Sequence, residues 1–361
     1  MLKIKEADLH ITTACDGRCP YCYVDHGKSN DVFRFVSRHG DVDMLKKIIR
    51  YIAIAALAED LVFVGGDPCR HPDLVPLLRY AKSFGLHTCV LSNTHIYREN
   101  GSEVSTESFA KYLDEMDFTL HGVEDVHDAF NGNSGAYRNA IERIREFIAF
   151  RGPSDKSVGI IINFTPEIIR RNLHGTLVGI IEDLKLDPKR DFFMAQRIAP
   201  VGRAASDPER WRLTHSDLEN ALKVFAEITK TYGFEFRLDA VDAFPWCAVP
   251  EEFHYMLTPG GCQWGQPDGV LSILPDGKIQ RCALSAKTIG DMLSMKTPEE
   301  FSQWYENNYD LRRFREKQHL PEKCRECKYF EKCGGGCVIA SGKDQYAGRM
   351  AHQRDYLADA K

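Results

Sequence analysis

The chain reads as an α/β protein, a partial (β/α)6 TIM-like barrel followed by a small cysteine-rich domain. Three observations predict it. Over the first two thirds of the 361 residues, six strand-like apolar segments each precede a helix-like one, and repeated β-then-α units imply parallel strands joined by right-handed crossovers. The length exceeds one ordinary domain, so two modules are expected. The twelve cysteines divide unevenly, with three at 15 to 22, six at 262 to 337, and Cys69, Cys89 and Cys247 apart.

In order, the expected barrel elements are strand 3–12, helix 44–57, strand 61–64, helix 72–84, strand 88–91, helix 106–113, strand 118–120, helix 136–150, strand 158–164, helix 168–184 and strand 192–197. A linker around 198–204 closes the barrel, followed by an amphipathic helix 216–232 and a short strand near 234–238. Pro275-Asp276-Gly277 is a hairpin turn between strands 270–274 and 278–281. The expected divisions are a core barrel 1–215, a linking helix and strand 216–255, a cysteine-rich domain 256–345 and a tail 346–361. In such barrels catalytic groups sit at the C-terminal ends of the strands.

A net charge of -5 with no basic block argues against nucleic acid as the main partner. No apolar run approaches the ~20 residues of a membrane span, and the first residues lack a signal-peptide core. A cytoplasmic protein is expected. Its thiols then stay reduced and point to metal or redox chemistry rather than disulfides. Cys69 and Cys89, in apolar surroundings, read as small buried fillers.

Cys15-Asp16-Gly17-Arg18-Cys19-Pro20-Tyr21-Cys22 follows the first strand with C-x3-C-x2-C spacing. Fe–S clusters usually take four thiolates; three on one tight loop leave one iron open to a small molecule. A zinc knuckle is the alternative, but a structural zinc wants four ligands, and His26 is the only nearby candidate for the fourth. With Tyr21 before the last Cys, the loop resembles the signature of the radical S-adenosylmethionine (radical SAM) superfamily. The resemblance implies a 4Fe-4S cluster on Cys15, Cys19 and Cys22 whose open iron chelates SAM, and reductive cleavage of SAM to methionine and a 5'-deoxyadenosyl radical that takes a hydrogen from substrate.

Further segments recur in the order of that family. Gly65-Gly66-Asp67-Pro68 is similar to its GGEP segment, which holds the SAM amino group, with Asp67 where Glu is usual; the glycines are expected to let backbone approach a ligand. Leu91-Ser92-Asn93-Thr94 resembles the ribose-contacting segment. Thr119-Leu120-His121-Gly122 stands where relatives have Ser-x-Asp-Gly, so Thr119 replaces the Ser and His121 departs from the Asp. Asn163 and Arg197, at the ends of the fifth and sixth strands, are positioned to meet SAM or substrate, or to act as plain strand-end hydrogen bonders. His127 resembles the "HD" segment of peptide-modifying members, though it reads better as a helix-cap or surface histidine.

The second cysteine field runs Cys262-x14-Gly277-x4-Cys282, then Cys324-x2-Cys327-x5-Cys333-x3-Cys337. Its last four thiols fit a tetrahedral zinc, which leaves Cys262 and Cys282 unexplained. The order resembles the SPASM domain, a C-terminal extension of radical SAM enzymes with two auxiliary 4Fe-4S clusters. The resemblance assigns Cys262, Cys282 and Cys337 to one and Cys324, Cys327 and Cys333 to the other. The chain departs twice. With no Cys from Val338 to Lys361, the second cluster takes Asp344, His352 or Asp355 as fourth ligand or stays three-ligated. Gln263-Trp264-Gly265-Gln266 lacks the extra Cys that some members place after the first SPASM cysteine, so either Cys247 swings in or the first auxiliary cluster keeps an open iron.

The resemblance implies a peptide- or protein-modifying oxidoreductase forming a thioether or carbon–carbon crosslink, with a reductant such as flavodoxin or ferredoxin. Formylglycine formation, as in anaerobic sulfatase maturases, is weakened by Ala283 in place of an acid. A non-catalytic iron–sulfur carrier is the reading from another class. No peptide-binding domain is expected before the first strand, and the insert 25–43, with Phe33 and Phe35, reads as a surface loop.

Overall fold

The computed structural model describes residues 2–24, 39–93, 98–99, 102–103, 105–238, 243–259, 261–266, 268–285, 287–339 and 357–358. One ten-stranded sheet organises them. Its strands are β1 (Glu6–Thr12), β2 (Asp60–Gly65), β3 (His87–Ser92), β4 (Glu115–Thr119), β5 (Ser157–Asn163), β6 (Phe192–Gln196), β7 (Phe236–Arg237), β8 (Val270–Ile273), β9 (Lys278–Gln280) and β10 (Thr288–Asp291), in the spatial order β7-β6-β5-β4-β3-β2-β1-β8-β9-β10. Pairing is parallel from β7 to β8 and antiparallel through β9 and β10. The partial (β/α)6 barrel is therefore present. The hairpin of the second cysteine field does not stand apart from it, because β8 lies on β1 in register Glu6 to Val270 and Leu9 to Ile273.

The helices close over this sheet for reasons local to each. Helix α1 (Val42–Ile54) buries Leu45, Ile48, Ile49 and Ile52, an i, i+3, i+4, i+7 stripe, and Asp41 caps it by accepting from the Met44 amide. Helices α2 (Leu74–Lys82) and α3 (Thr106–Ala110) fill the next two crossovers. After β4 come α4 (Asp125–Asn131) and α5 (Ala136–Arg151). Helix α6 (Pro166–Leu184) starts with Pro at its first turn and Thr165 as cap, and α7 (His215–Tyr232) has a Thr214/Asp217 capping box and ends at Gly233. Two helices not expected from the sequence, α8 (Pro298–Asn307) and α9 (Tyr309–Arg315), brace the hairpin; Phe301, Tyr305 and Leu311 bury against it. Among the described residues no helix is long and apolar enough to cross a membrane.

Strand β4 begins three residues earlier than the apolar run suggests, because Glu115 and Asp117 belong to it. Their carboxyls join Cys89 in a tight group whose ligand atoms lie within 4.8 Å of one another. Cys69 and Cys89 are buried, as expected, and the Cys89 thiol also donates to Asp117 Oδ2 at 3.4 Å. Burial, with Glu115 beside it, raises the Asp117 carboxyl far above the carboxylate range. Burial, with Asp60 beside it, brings Glu6 up to about 7. A carboxyl whose native pKa is raised stabilises the fold at low pH, and this contribution is lost as pH rises through the native value. For Glu6 the window runs from about 4.5 to about 7. Asp117→Asn fixes the neutral form, and we expect melting at pH 8 to rise by about 2 °C or more, with the gain shrinking toward pH 5. A lower melting temperature at pH 8 would refute a protonated Asp117.

Candidate functional site

Every segment singled out in the barrel half lies at a strand's C-terminal end. The cysteine loop follows β1, Gly65 ends β2 with Gly66 to Pro68 after it, Ser92 ends β3 with Asn93 after it, Thr119 ends β4, Asn163 ends β5 and Arg197 follows β6. Parallel pairing puts all these ends on one side of the sheet, so residues far apart in sequence share one rim.

The loop is held by its backbone. The Arg18 amide donates to the Asn131 carbonyl at 2.7 Å, and the Cys22 carbonyl accepts from the Arg203 amide at 2.9 Å. The Arg203 guanidinium donates to the Cys19 carbonyl at 3.2 Å. None of these three bonds uses a thiol. Cys15 Sγ accepts from the Gly17 amide at 3.3 Å and from Asn93 Nδ2 at 3.0 Å. A Cβ on Gly17 would stand 3.4 Å from Cys15 Sγ and 3.5 Å from Cys19 Sγ, so both sulfurs crowd the bare glycine. Burial, then the Asp67 carboxylate, pushes Cys15 up to about 12. Burial raises Cys19 against the opposing hydroxyl of Tyr21. Iron binding would take these protons, and N–H donors on the sulfurs are a usual means of tuning a cluster. The donor set therefore fits a cluster held by three thiolates.

The close approach expected of Gly65 and Gly66 is made to the end of β1. A Cβ on Gly65 would lie 2.2 Å from the Thr12 carbonyl oxygen and one on Gly66 2.5 Å from that of Ala14. The Gly66 and Asp67 amides donate to Thr12 and Ala14 at 2.7 and 2.8 Å. Fully buried Asp67 accepts from the Cys69 amide at 2.9 Å, from Ser92 Oγ at 3.1 Å and from the Asn93 amide at 3.2 Å. Pro68, next in the chain, is buried too. Asp67 thereby ties β2 to β3 and sets Asn93, whose amide reaches the cysteine loop.

Sequence reasoning took His121 as a departure, but the structure makes it a junction. Its ring contacts the Tyr21 hydroxyl through Nε2, and its Nδ1 lies 3.2 Å from Asn163 Nδ2. Assigning Nδ1 as acceptor leaves the proton on Nε2, facing Tyr21. The Tyr21 hydroxyl also reaches Cys19. Thus Asn163, His121 and Tyr21 form a polar chain from the end of β5 to a loop thiol. His127 is neither a cap nor on the surface. It lies within α4, 1 % exposed, stacked on His121 at 5.5 Å, and its Nδ1 accepts the His121 amide at 3.1 Å. Only the apolar face of α4, not legible as a helix from its seven residues, could have signalled this.

Burial drives His121 well below the histidine range and brings His127 down to about 4. Both are neutral at pH 7. A lowered histidine contributes stability fully above its unfolded value of about 6.5, and loses it as pH falls toward the native one. At pH 5 this amounts to roughly 2 kcal/mol for His127. His127→Asn keeps an acceptor for the His121 amide without titrating. We expect its melting temperature to fall less than that of the wild type between pH 7 and pH 5; equal slopes would rule the assignment out.

Arg197 is buried, donates to the Ala243 carbonyl at 3.1 Å and lies over the Phe244 ring at 4.5 Å, so it joins β6 to the segment leading into the second cysteine field. Thr119 is half-buried beside this rim. Residues 25–38, with His26, Phe33 and Phe35, and Thr94, Asp344, His352 and Asp355 lie outside the described residues.

In the second field, Cys262, Cys282 and Cys337 are all buried and share one apolar cluster with Trp264, Phe314 and Val338. Tyr23, next to Cys22, packs on that cluster, which connects it to the first loop. Cys324, Cys327 and Cys333 are half-buried elsewhere. Cys333 Sγ accepts from the Trp246 amide at 3.3 Å and from the Gly335 amide at 3.4 Å. Among the described residues, Cys89, Glu115 and Asp117 are the only metal-ligand trio within 4.8 Å of one another.

A parallel barrel with a three-thiol loop at the end of its first strand defines a radical SAM fold. Residues 9–168 match the family model described as the Radical SAM superfamily, and this part of the chain is a radical SAM domain, a family whose members hold a 4Fe-4S cluster and SAM. Among curated relatives, the PqqA peptide cyclase of Bradyrhizobium diazoefficiens is 25% identical over 334 residues, 91% of this chain and 80% of its own. The AdoMet-dependent heme synthase of Oleidesulfovibrio alaskensis is 26% identical over 293 residues, 76% of this chain and 69% of its own. Among solved structures, Streptococcus suis SuiB bound to S-adenosylmethionine superposes with a TM-score of 0.69 at 18% identity, covering 99% of this chain and 77% of that one. The last likeness is one of fold.

Proposed function

We propose that the chain is a radical SAM enzyme that modifies a peptide or protein, introducing a thioether or carbon–carbon crosslink. The observation that carries this reading is the run of similarity to a peptide cyclase across 91% of the chain, a span that extends well beyond the barrel. A cluster on Cys15, Cys19 and Cys22 would supply the electron that cleaves SAM. The chain's own residues do the rest. Asp67 fixes Ser92 and Asn93 at the rim, Asn93 donates to Cys15 Sγ, and the neutral His121 holds Tyr21 against the loop. Gly65, Gly66, Pro68, Thr119, Asn163 and Arg197 complete the rim that meets SAM or substrate.

Two auxiliary 4Fe-4S clusters, one on Cys262, Cys282 and Cys337 and one including Cys324, Cys327 and Cys333, belong to this proposal, as do a flavodoxin- or ferredoxin-type reductant and a cytoplasmic location. Ala283, buried after Cys282, offers no carboxylate for formylglycine chemistry. Anaerobic reconstitution with iron and sulfide should give about twelve iron per chain; about four iron with one zinc would overturn the two auxiliary clusters. With SAM and reductant, a peptide encoded beside the gene should lose two mass units. A heme product in place of a shifted peptide would instead favour the chemistry named for the second relative.

A further inference from the structure

With Cys337 assigned to the other set, Cys324, Cys327 and Cys333 are left without a fourth thiol from their own stretch of sequence, yet the structure brings one to them from the other side of the field. Residues 243–247 run along the glycine-rich knot. The Cys337 amide donates to the Ala243 carbonyl at 2.8 Å, and a Cβ on Gly336 would lie 2.8 Å from the Pro245 nitrogen. One residue before Cys247, the Trp246 amide donates to Cys333 Sγ at 3.3 Å. Four residues after it, Glu251 binds both Lys328 and the Tyr329 hydroxyl. The Trp246 and Tyr329 rings meet at 5.8 Å, and His254, its ring 5.0 Å from that of Tyr329, donates from Nε2 to the Trp246 and Val249 carbonyls. The short turn Trp246–Ala248 is thus clamped at both ends onto the segment 327–333.

Within that clamp Cys247 is exposed, whereas Cys262, Cys282 and Cys337 are 6–7 % exposed in a separate apolar cluster. The bond from the Trp246 amide to Cys333 Sγ sets Cys247 one residue from a thiol of one proposed cluster.

We infer that Cys247 is the fourth thiolate of the Cys324, Cys327 and Cys333 site, giving that auxiliary cluster a closed set of four sulfurs. The inference rests on the three-cluster reading above. It removes the need for a ligand from residues 338–361, and it removes Cys247 from the first auxiliary site. The cluster so closed lies at the surface, where an exposed thiolate suits exchange of electrons with a reductant rather than binding of substrate.

The test uses the full chain, reconstituted anaerobically, with Cys247→Ala and Cys247→Ser compared with Cys324→Ala and the Cys247→Ala/Cys324→Ala pair. Cys247 is exposed, so its loss leaves the packing in place, and the SAM-induced change in the spectrum of the first cluster reports that the barrel is intact. In Cys247→Ala we expect one to about four fewer iron than in the wild type, with a three-iron signal on oxidation where iron is partly kept. Because both residues serve one site, the pair should lose no more iron than Cys324→Ala alone. The inference falls if Cys247→Ala keeps the full iron content and spectrum. It also falls if the pair loses about eight iron, which would place Cys247 with the Cys262 set. A wild-type chain with about four iron would instead defeat the three-cluster reading itself.

Discussion

Replacing Cys15, Cys19 and Cys22 together by Ala should abolish release of 5'-deoxyadenosine from SAM under reductant, while the protein still folds. The two halves of this expectation come from different atoms. The loop is anchored by main-chain bonds, from Arg18 to Asn131 and from Arg203 to Cys22, and by the Arg203 side chain on the Cys19 carbonyl; none of these uses a thiol. The side chains removed are half-buried, so the cost in packing is small beside the loss of the iron ligands. The second cysteine field should still load about eight iron. Melting should therefore shift by only a few degrees while the SAM-dependent signal vanishes. Unchanged deoxyadenosine release would end the radical SAM account of this chain.

The next largest effect is expected from one methyl group. Gly66→Ala places a Cβ 2.5 Å from the Ala14 carbonyl oxygen and 2.6 Å from that of Thr13. Backbone atoms of residues 13 and 14 this close force a displacement. Whatever moves, either the cysteine loop shifts with residues 13 and 14, or Asp67 shifts with residue 66 and draws Ser92 and Asn93 after it. Both routes disturb the bond from Asn93 to Cys15. We expect SAM cleavage to fall roughly 100-fold, about 2.7 kcal/mol of barrier, with iron content nearly retained. Full activity in Gly66→Ala would show that the register of this segment is not what aligns the rim. Ser92→Ala, which removes one donor to a still-bonded Asp67, should cost far less.

Much of this was legible in the sequence because periodicity and spacing are local. The apolar spacing of α1 and the three-thiol loop each lie within one short stretch, and the six β-then-α units are a succession of such stretches. Strand ends were harder where polar side chains enter the barrel, as with Glu115 and Asp117, whose charges disguise β4. What the sequence could not convey was contact between distant segments. His127 resembled a surface residue because nothing near it reveals that α4 presses it onto His121. Nothing local to Gly65 and Gly66 showed that they also pack against the backbone of residues 12 to 14. Cys247 stood alone among the cysteines, since only the folded chain sets Trp246 on Cys333.

The place of β8 has a consequence for how the chain is made. The strand carrying the iron-binding loop is synthesised well before β8, yet one of its two edges is covered by that later strand. Until β8 emerges the nascent barrel presents unpaired amides and carbonyls along β1, an invitation to pairing with another molecule. A fragment cut before the hairpin should accordingly tend to aggregate, and metallation of the first loop would have to wait, or be guarded by a chaperone, until the hairpin has formed.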